Sequence, residues 1–221
     1  MKMNPLKRNT PSAFTLLELL VVMTIISVLA GLIFAMGPRV LLSIRKQSVQ
    51  GDMQQLEMAI LEYFNEYGRY PLSNDLQGSD VIVGGDGATA GTEEIMNILL
   101  AEPLGWNEGH VLNPRRRQFL TPRPAKGGED NPRNGLGKDG KLYDMWGNEF
   151  QIYMDANYDD KLDGANADAF IYSDKKIQTT DGSFSGRLMI LSVGSDGVLG
   201  KKDSEEGEKN YDGSDDVASW L

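Results

Sequence analysis

The chain has 221 residues, a formal net charge of −10 at pH 7, no cysteine and a single histidine, His110. The net negative charge argues against nucleic acid as a partner, because phosphate binding needs clustered lysine and arginine side chains. The lack of cysteine excludes disulfides, thiolate catalysis and cysteine-ligated zinc, and a lone histidine argues against hydrolytic triads and multi-histidine metal sites. The length is typical of one domain with appendages.

The N-terminus joins a short basic stretch to a long apolar one. Residues 1–13 contain lysine and arginine and no acid, and the chain is then almost wholly apolar from Phe14 to Met36. A helix of this length can cross a hydrocarbon core of about 30 Å. The run is longer than the ~7–15-residue apolar core of a removable secretory signal. We therefore predict a cytoplasmic leader (1–13) and a single-pass anchor in the inner membrane (14–37), with the remainder on the outer side.

Glu18 is the only charged residue in the apolar run. An unpaired carboxylate there costs on the order of 2–3 kcal/mol, and in an isolated span it would simply reach the interface. The string Ser12–Val22, however, resembles the type IV prepilin signature of a small residue, a phenylalanine and a glutamate four positions later. That resemblance implies cleavage between Ala13 and Phe14, N-methylation of Phe14, and pairing of Glu18 with the Phe14 α-amino group of a neighbouring subunit. The family usually has glycine before the cut, where this chain has Ala13.

A second helical segment follows the anchor. Gly37-Pro38 is predicted to bend or loosen the helix, since proline removes a backbone donor. Helical periodicity then resumes, and Gly68 is a candidate C-cap. The sequence thus predicts one helix from Phe14 to Tyr67 and an amphipathic stalk over 38–71. Its apolar stripe consists of Val49, Met53, Leu56, Ile60, Phe64 and Tyr67.

The remaining residues, 72–221, are predicted to form a globular periplasmic domain. Residues 72–91 are predicted to be loop, and Glu93–Leu100 a short helix with Thr92 as its N-cap. Residues 103–142 are rich in proline and glycine and indicate an insertion or long loop. Strands are predicted over 149–154, 169–172 and 187–193. Few strands without alternating helices favour an α+β fold, with a small antiparallel sheet packed on the long helix.

Four segments together resemble the major pseudopilin of type II secretion systems. They are Asp52–Pro71, the motif Asp144-x-Trp146-Gly147-Asn148, Leu191–Gly197 and Asp215–Trp220. The resemblance covers both ends of the chain and leaves about 72–142 unmatched. It implies a pilin-like fold and self-assembly into a filament. It also implies three kinds of partner: minor pseudopilins, an inner-membrane assembly platform and a prepilin peptidase/methyltransferase.

The same resemblance implies a structural calcium ion in a C-terminal loop. Its ligands would be the carboxylates of Asp196, Asp215 and Asp216 and the backbone carbonyls of Val193 and Val198. Calcium takes six to eight oxygen ligands, and a bound ion would relieve the repulsion among these carboxylates. Without the resemblance, an acidic tail of this kind is ordinarily a solvated end.

A second acidic segment, which begins at Asp155, matches half of an EF-hand loop. The sixth position is Asp160, where glycine is preferred, and the twelfth is Asn166, where a bidentate glutamate is preferred. An Asx-rich turn between two strands is the simpler interpretation, and a second metal site is the alternative. The matching first, third, fifth and ninth positions are Asp155, Asn157, Asp159 and Asp163.

These observations favour a structural pseudopilin subunit, with no enzymatic activity, in a type II secretion filament. A type IV pilus subunit for adhesion, motility or DNA uptake is the nearest alternative. The absence of a cysteine pair and the motifs around Trp146 and Trp220 favour secretion. A membrane-tethered periplasmic enzyme that uses two carboxylates, such as a glycosidase, is the alternative from another class.

Overall fold

The computed structural model describes residues 14–162, 184–200 and 214–219, apart from the side chains of residues 35–39 and 184. The chain divides into two compact units, Met1–Ile44 and Arg45–Leu221. The first unit contributes the apolar part of the long helix. The second contains the end of that helix and all of the described strands.

Helix α1 runs from Leu16 to Tyr67 and matches the single helix predicted from the sequence. It includes Gly37 and Pro38, and the bend predicted there stays a prediction. Gly68 has a φ of 69°, and its N–H donates to the carbonyl of Phe64 at 2.7 Å. A left-handed residue that returns a hydrogen bond to the last turn is the ordinary glycine stop of a helix. The predicted C-cap is therefore confirmed.

The main sheet has four antiparallel strands: β1 (Val81–Val83), β4 (Gln151–Met154), β7 (Leu188–Ser192) and β8 (Val217–Ala218). Their order is β1-β4-β7-β8. Two short antiparallel pairs accompany it. One joins β2 (Gly135–Leu136) to β3 (Leu142–Tyr143), and the other joins β5 (Lys161–Leu162) to β6 (Phe184–Ser185). One long helix and a small antiparallel sheet confirm the predicted α+β class.

The core of the second unit lies between the C-terminal part of α1, the sheet and helix α2 (Thr92–Leu99). Four members of the predicted apolar stripe, Val49, Met53, Leu56 and Ile60, are at most 1% exposed, and Phe64 and Tyr67 pack against them. Fully burying such a side chain contributes about 1.5–3 kcal/mol. The sheet and α2 supply the opposing surface through Val83, Ile152, Ile190, Ile95, Ile98 and Leu99.

Several local predictions were wrong. Thr92 is the first residue of α2 and not its N-cap, which is Gly91 in an extended conformation. The predicted loop 72–91 contains β1. This strand has only three residues and is followed by Gly84-Gly85, so it is too short to show an alternating apolar pattern. The segment 103–142 is mostly irregular, as predicted, but holds a 3₁₀ turn at Gly105–His110, β2 and the start of β3. The strand predicted at 169–172 lies outside the described residues.

Candidate functional site

The N-terminal part of α1 is the first candidate site. Within the described residues, Leu16–Phe34 is the one helical segment long and apolar enough to cross a membrane. Its large side chains are exposed in the isolated chain, including Leu16 at 82% and Phe34 at 81%. A contiguous apolar surface of this kind needs lipid or another protein to cover it. The segment therefore fits a single-pass membrane anchor.

Thr15 and Glu18 form a capping box at the start of α1. The backbone N–H and the hydroxyl of Thr15 both donate to Glu18 Oε2 at 2.8 Å. The Glu18 N–H approaches Thr15 Oγ1 at 3.2 Å. This reciprocal arrangement satisfies backbone donors that a helix N-terminus otherwise leaves open. The spacing Thr-x-x-Glu could have revealed it, but sequence reasoning considered only an interfacial position or a charge partner for Glu18.

The predicted cleavage point lies just before this cap. Phe14 immediately precedes Thr15 and is 73% exposed. Ala13 lies outside the described residues. Cleavage at this bond, methylation of Phe14 and a pairing role for Glu18 stay predictions.

The second candidate site joins the C-terminal loop (residues 193–200) to the C-terminal segment (residues 214–219). Asp215 Oδ2 accepts hydrogen bonds from the backbone N–H and hydroxyl of Ser195, and from the Asp196 N–H at 3.1 Å. A Cβ built on Gly194, whose φ is 68°, would lie 2.6 Å from Asp215 Cγ. Only glycine fits both that conformation and that close approach.

Asp216 is buried beside this loop, at 5% exposure. Its Oδ2 accepts the Gly200 N–H at 2.7 Å. Its Oδ1 is buried without a well-formed hydrogen bond in the described part of the chain, although the Ser214 side chain is close enough to lower the pKa of the carboxyl. Burial raises the pKa of this carboxyl to about 6, and the nearby carboxyls of Asp215 and Asp196 act in the same direction. A buried carboxylate oxygen without a well-formed hydrogen bond is the feature of this loop that fits a cation.

The other predicted calcium ligands are less closely grouped. Asp196 is exposed, and its Oδ1 accepts the Val198 N–H at 2.9 Å. Val193 and Val198 line the same cleft. Among the described residues, no group of three or more acidic or histidine side chains is arranged to hold a metal ion as it stands. The structure thus brings Asp215 to Asp196 and buries Asp216 nearby, and the calcium ion stays a prediction.

The C-terminal segment is also tied to helix α1. Lys46 Nζ donates to the backbone carbonyl of Ser214 at 3.1 Å and lies 3.5 Å from that of Asp216. In strand β8, Val217 pairs with Ser192 of β7, and Ala218 pairs with Leu191. Side-chain bonds to backbone groups therefore hold a segment whose own strand pairing is only two residues long.

The half EF-hand segment is closed by its own hydrogen bonds. Asp155 is buried and accepts the N–H groups of Asp159 at 3.2 Å and Asp160 at 2.9 Å. Asn157 and Asp159 accept the N–H groups of Asp159 and Lys161, each at 3.0 Å. These are the bonds of an Asx-rich turn. Asp163 lies outside the described residues, so a second metal site stays a prediction.

A compact turn at residues 144–149 (the 144–149 turn) contains the tryptophan-glycine motif. Asp144 is fully buried, and its Oδ1 accepts the N–H groups of Trp146, Gly147 and Asn148 at 2.8–2.9 Å. Its Oδ2 accepts the Ser192 hydroxyl at 2.5 Å. Burial raises the pKa of the Asp144 carboxyl, and these hydrogen bonds oppose the rise.

The end of the 144–149 turn is bonded to helix α2. Glu149 Oε1 accepts the backbone N–H and the hydroxyl of Thr92, and Oε2 accepts from Lys141 Nζ at 3.1 Å. The Thr92 hydroxyl in turn accepts the Leu142 N–H at 2.9 Å. Helix α2 has no side-chain N-cap of its own. The Glu149 carboxylate, from elsewhere in the chain, accepts the N-terminal hydrogen bond instead. Nothing in the local sequence of α2 indicates this partner.

Residues 8–34 match the family model of the prokaryotic N-terminal methylation motif. The matched range includes Ala13, Phe14 and Glu18, the residues that the prepilin resemblance singled out. No curated protein and no solved structure significantly matches the chain. The motif, an apolar helix and a small antiparallel sheet together give a pilin-like layout. They support a type IV pilin-like or pseudopilin subunit, a class that a prepilin peptidase processes and that assembles into filaments.

Proposed function

We propose that this protein is a structural pseudopilin that polymerises through helix α1 into the periplasmic filament of a type II secretion system. The observation that carries the proposal is the methylation motif on an apolar helical segment, Leu16–Phe34, that has no buried residue in the isolated chain and contains one carboxylate. The globular unit would lie in the periplasm. Minor pseudopilins and an inner-membrane assembly platform would be its partners.

The assembly mechanism follows from the position of Glu18. Its carboxylate already accepts two hydrogen bonds from Thr15, the residue after Phe14. Removal of the leader creates a positive α-amino group on Phe14, next to Thr15 and four positions before Glu18. Each charge is costly in lipid when unpaired, and pairing them across two subunits lowers both costs. The filament is thereby favoured over separate subunits in the membrane.

A role in secretion, and not in a pilus, is supported by the resemblance of the 144–149 turn and of the C-terminal loop to the major pseudopilin. A structural calcium ion is part of this proposal. Asp196, Asp215, Asp216 and the carbonyls of Val193 and Val198 would hold it. The buried Asp216 Oδ1 supports the ion, because it lacks a well-formed hydrogen bond and calcium would supply a counter-charge.

Processing is tested by mass spectrometry of the protein purified from membranes of cells that contain the peptidase. We expect a mature chain that begins with methylated Phe14. A protein that keeps residues 1–13 under these conditions would contradict the proposal.

Assembly is tested with Glu18→Gln, which keeps the size of the side chain and removes its charge. We expect filaments to be lost while the protein remains in the membrane. Ser27→Ala is the matched control, because Ser27 is a polar residue of the same segment whose hydroxyl bonds only the Met23 carbonyl at 2.8 Å. Normal filaments from Glu18→Gln would refute the pairing mechanism.

The role of the filament is tested by deleting the gene. Accumulation of exported proteins in the periplasm supports a secretion filament. Long surface fibres made of this protein, with export unaffected by its deletion, would assign it to a pilus.

A further inference from the structure

A side-chain hydrogen bond joins the 144–149 turn to the C-terminal loop at Gly194. The Asn148 side-chain amide donates to the Gly194 carbonyl at 2.6 Å. On the other side, the Gly194 N–H lies 3.4 Å from the Ser192 hydroxyl oxygen, and that hydroxyl donates to Asp144. Both backbone polar groups of Gly194 are thus engaged by the turn, one directly and one through Ser192.

Planar peptide bonds carry these contacts into the loop. The Gly194 carbonyl and the Ser195 N–H belong to one rigid peptide and point in opposite directions. Holding the carbonyl towards Asn148 therefore directs the Ser195 N–H towards Asp215, which accepts it. The Gly194 N–H shares its peptide with the Val193 carbonyl, so the contact at Ser192 fixes the direction of that carbonyl as well.

We propose that the 144–149 turn sets the conformation of the C-terminal loop, and that Asn148 is a positioning residue for the cation site there. The second clause rests on the proposed function, which includes the cation. Asn148 would touch no ion; it orients the peptide that carries the N–H partner of Asp215, and Ser192, held by Asp144, orients the peptide that carries the Val193 carbonyl. Outer groups that orient ligands in this way commonly change metal affinity by ~10–100-fold when removed.

The turn is suited to this role because contacts away from the C-terminal loop hold it in place. Glu149 bonds Thr92 of α2, and Asp144 ties three successive N–H groups of the turn to one oxygen. Asn148 therefore donates from a fixed position. A loop held only by its own Asp215 contacts would keep more freedom.

The test uses the full chain in detergent micelles and the variant Asn148→Ala. Hydrogen exchange of residues 193–200 is measured in chelator, and the calcium dissociation constant by calorimetry. We expect exchange in the loop to rise about tenfold while α2 and β4 are unchanged, and the calcium dissociation constant to rise by about tenfold. Ser192→Ala, which removes only a hydroxyl, should also speed exchange in the loop.

Gln77→Ala is the matched control. Gln77 is also a half-buried amide that donates to backbone carbonyls, those of Tyr70 and Leu72, away from the loop. We expect it to leave both measurements unchanged. An effect of Gln77→Ala equal to that of Asn148→Ala would reduce the role of Asn148 to general stability and overturn the proposal.

The remaining outcomes separate the claims. Unchanged exchange in the loop of Asn148→Ala overturns the positioning role of the turn. Wild-type protein that binds no calcium overturns the cation site, whatever the exchange shows. Neither result bears on leader cleavage and methylation, which mass spectrometry of the Phe14 terminus tests on the same preparation.

Discussion

Replacing Asp144 by alanine tests whether the 144–149 turn depends on one buried carboxylate. The substitution removes the acceptor of three backbone N–H groups and of the Ser192 hydroxyl. A donor left without a partner costs about 1–3 kcal/mol when buried. The turn residues are half-buried, so each N–H counts near the lower limit, and the hydroxyl adds a similar amount. We expect Asp144→Ala to lower the free energy of unfolding by about 4 kcal/mol.

A loss of that size is a large share of the ~5–15 kcal/mol that stabilises a typical domain. Urea unfolding of the full chain in micelles, followed by tryptophan fluorescence, measures it. Asp144→Asn keeps an oxygen for the three N–H groups and can donate its amide to Ser192, so we expect a loss below about 1.5 kcal/mol. Asp86→Ala is the surface control and should stay within about 0.5 kcal/mol of wild type.

Two results would refute this reasoning. One is Asp144→Ala within about 0.5 kcal/mol of wild type, which would mean that water replaces the carboxylate at no cost. The other is Asp144→Asn losing as much as Asp144→Ala, which would assign the effect to charge and not to the acceptor geometry.

Three further predictions concern single contacts. Thr15→Val removes the capping hydroxyl, which costs about 1 kcal/mol of helix stability, so hydrogen exchange in the first turn of α1 should rise about fivefold. Thr15→Ser keeps the hydroxyl and should leave the exchange rate at the wild-type value. Burial raises the pKa of Tyr63 to about 12, so the contribution of its neutral form to stability is complete below pH 10 and is lost as the pH rises towards 12. Tyr63→Phe should therefore lose less stability at alkaline pH than wild type when unfolding is measured as a function of pH. An unchanged pH profile would contradict this. Gly194→Ala should destabilise the fold by at least about 1 kcal/mol more than Gly87→Ala. Both glycines have positive φ, but only at Gly194 would the added Cβ meet Asp215. Equal losses in urea unfolding would contradict this.

The sequence was sufficient to predict the parts of the fold that long periodic patterns encode. The apolar run and the stripe from Val49 to Tyr67 predicted α1 closely, because both patterns extend over many turns of one helix. β4 and β7 were found within two residues because they are apolar runs bounded by turn residues. Elements of two or three residues, such as β1 and β8, are too short to show a period.

The candidate sites were harder to predict because their partners are distant in sequence. Thr15 and Glu18 are three positions apart, and their capping box was within reach of sequence reasoning. The contact between Thr92 and Glu149 spans 57 positions, and no local pattern indicates it. The acidic residues of the C-terminal loop were identified by resemblance, but their hydrogen bonds to backbone N–H groups follow only from the folded chain.

Lys46 has a consequence for how the second unit forms. Its bond to Ser214 joins residues 168 positions apart, near the opposite ends of that unit. A chain made from its N-terminus cannot form this bond until residue 214 has been synthesised. Contacts of such long range are closed late, since the loop entropy must be overcome first. We therefore expect the contact between Lys46 and the C-terminal segment to be among the last of the second unit to form.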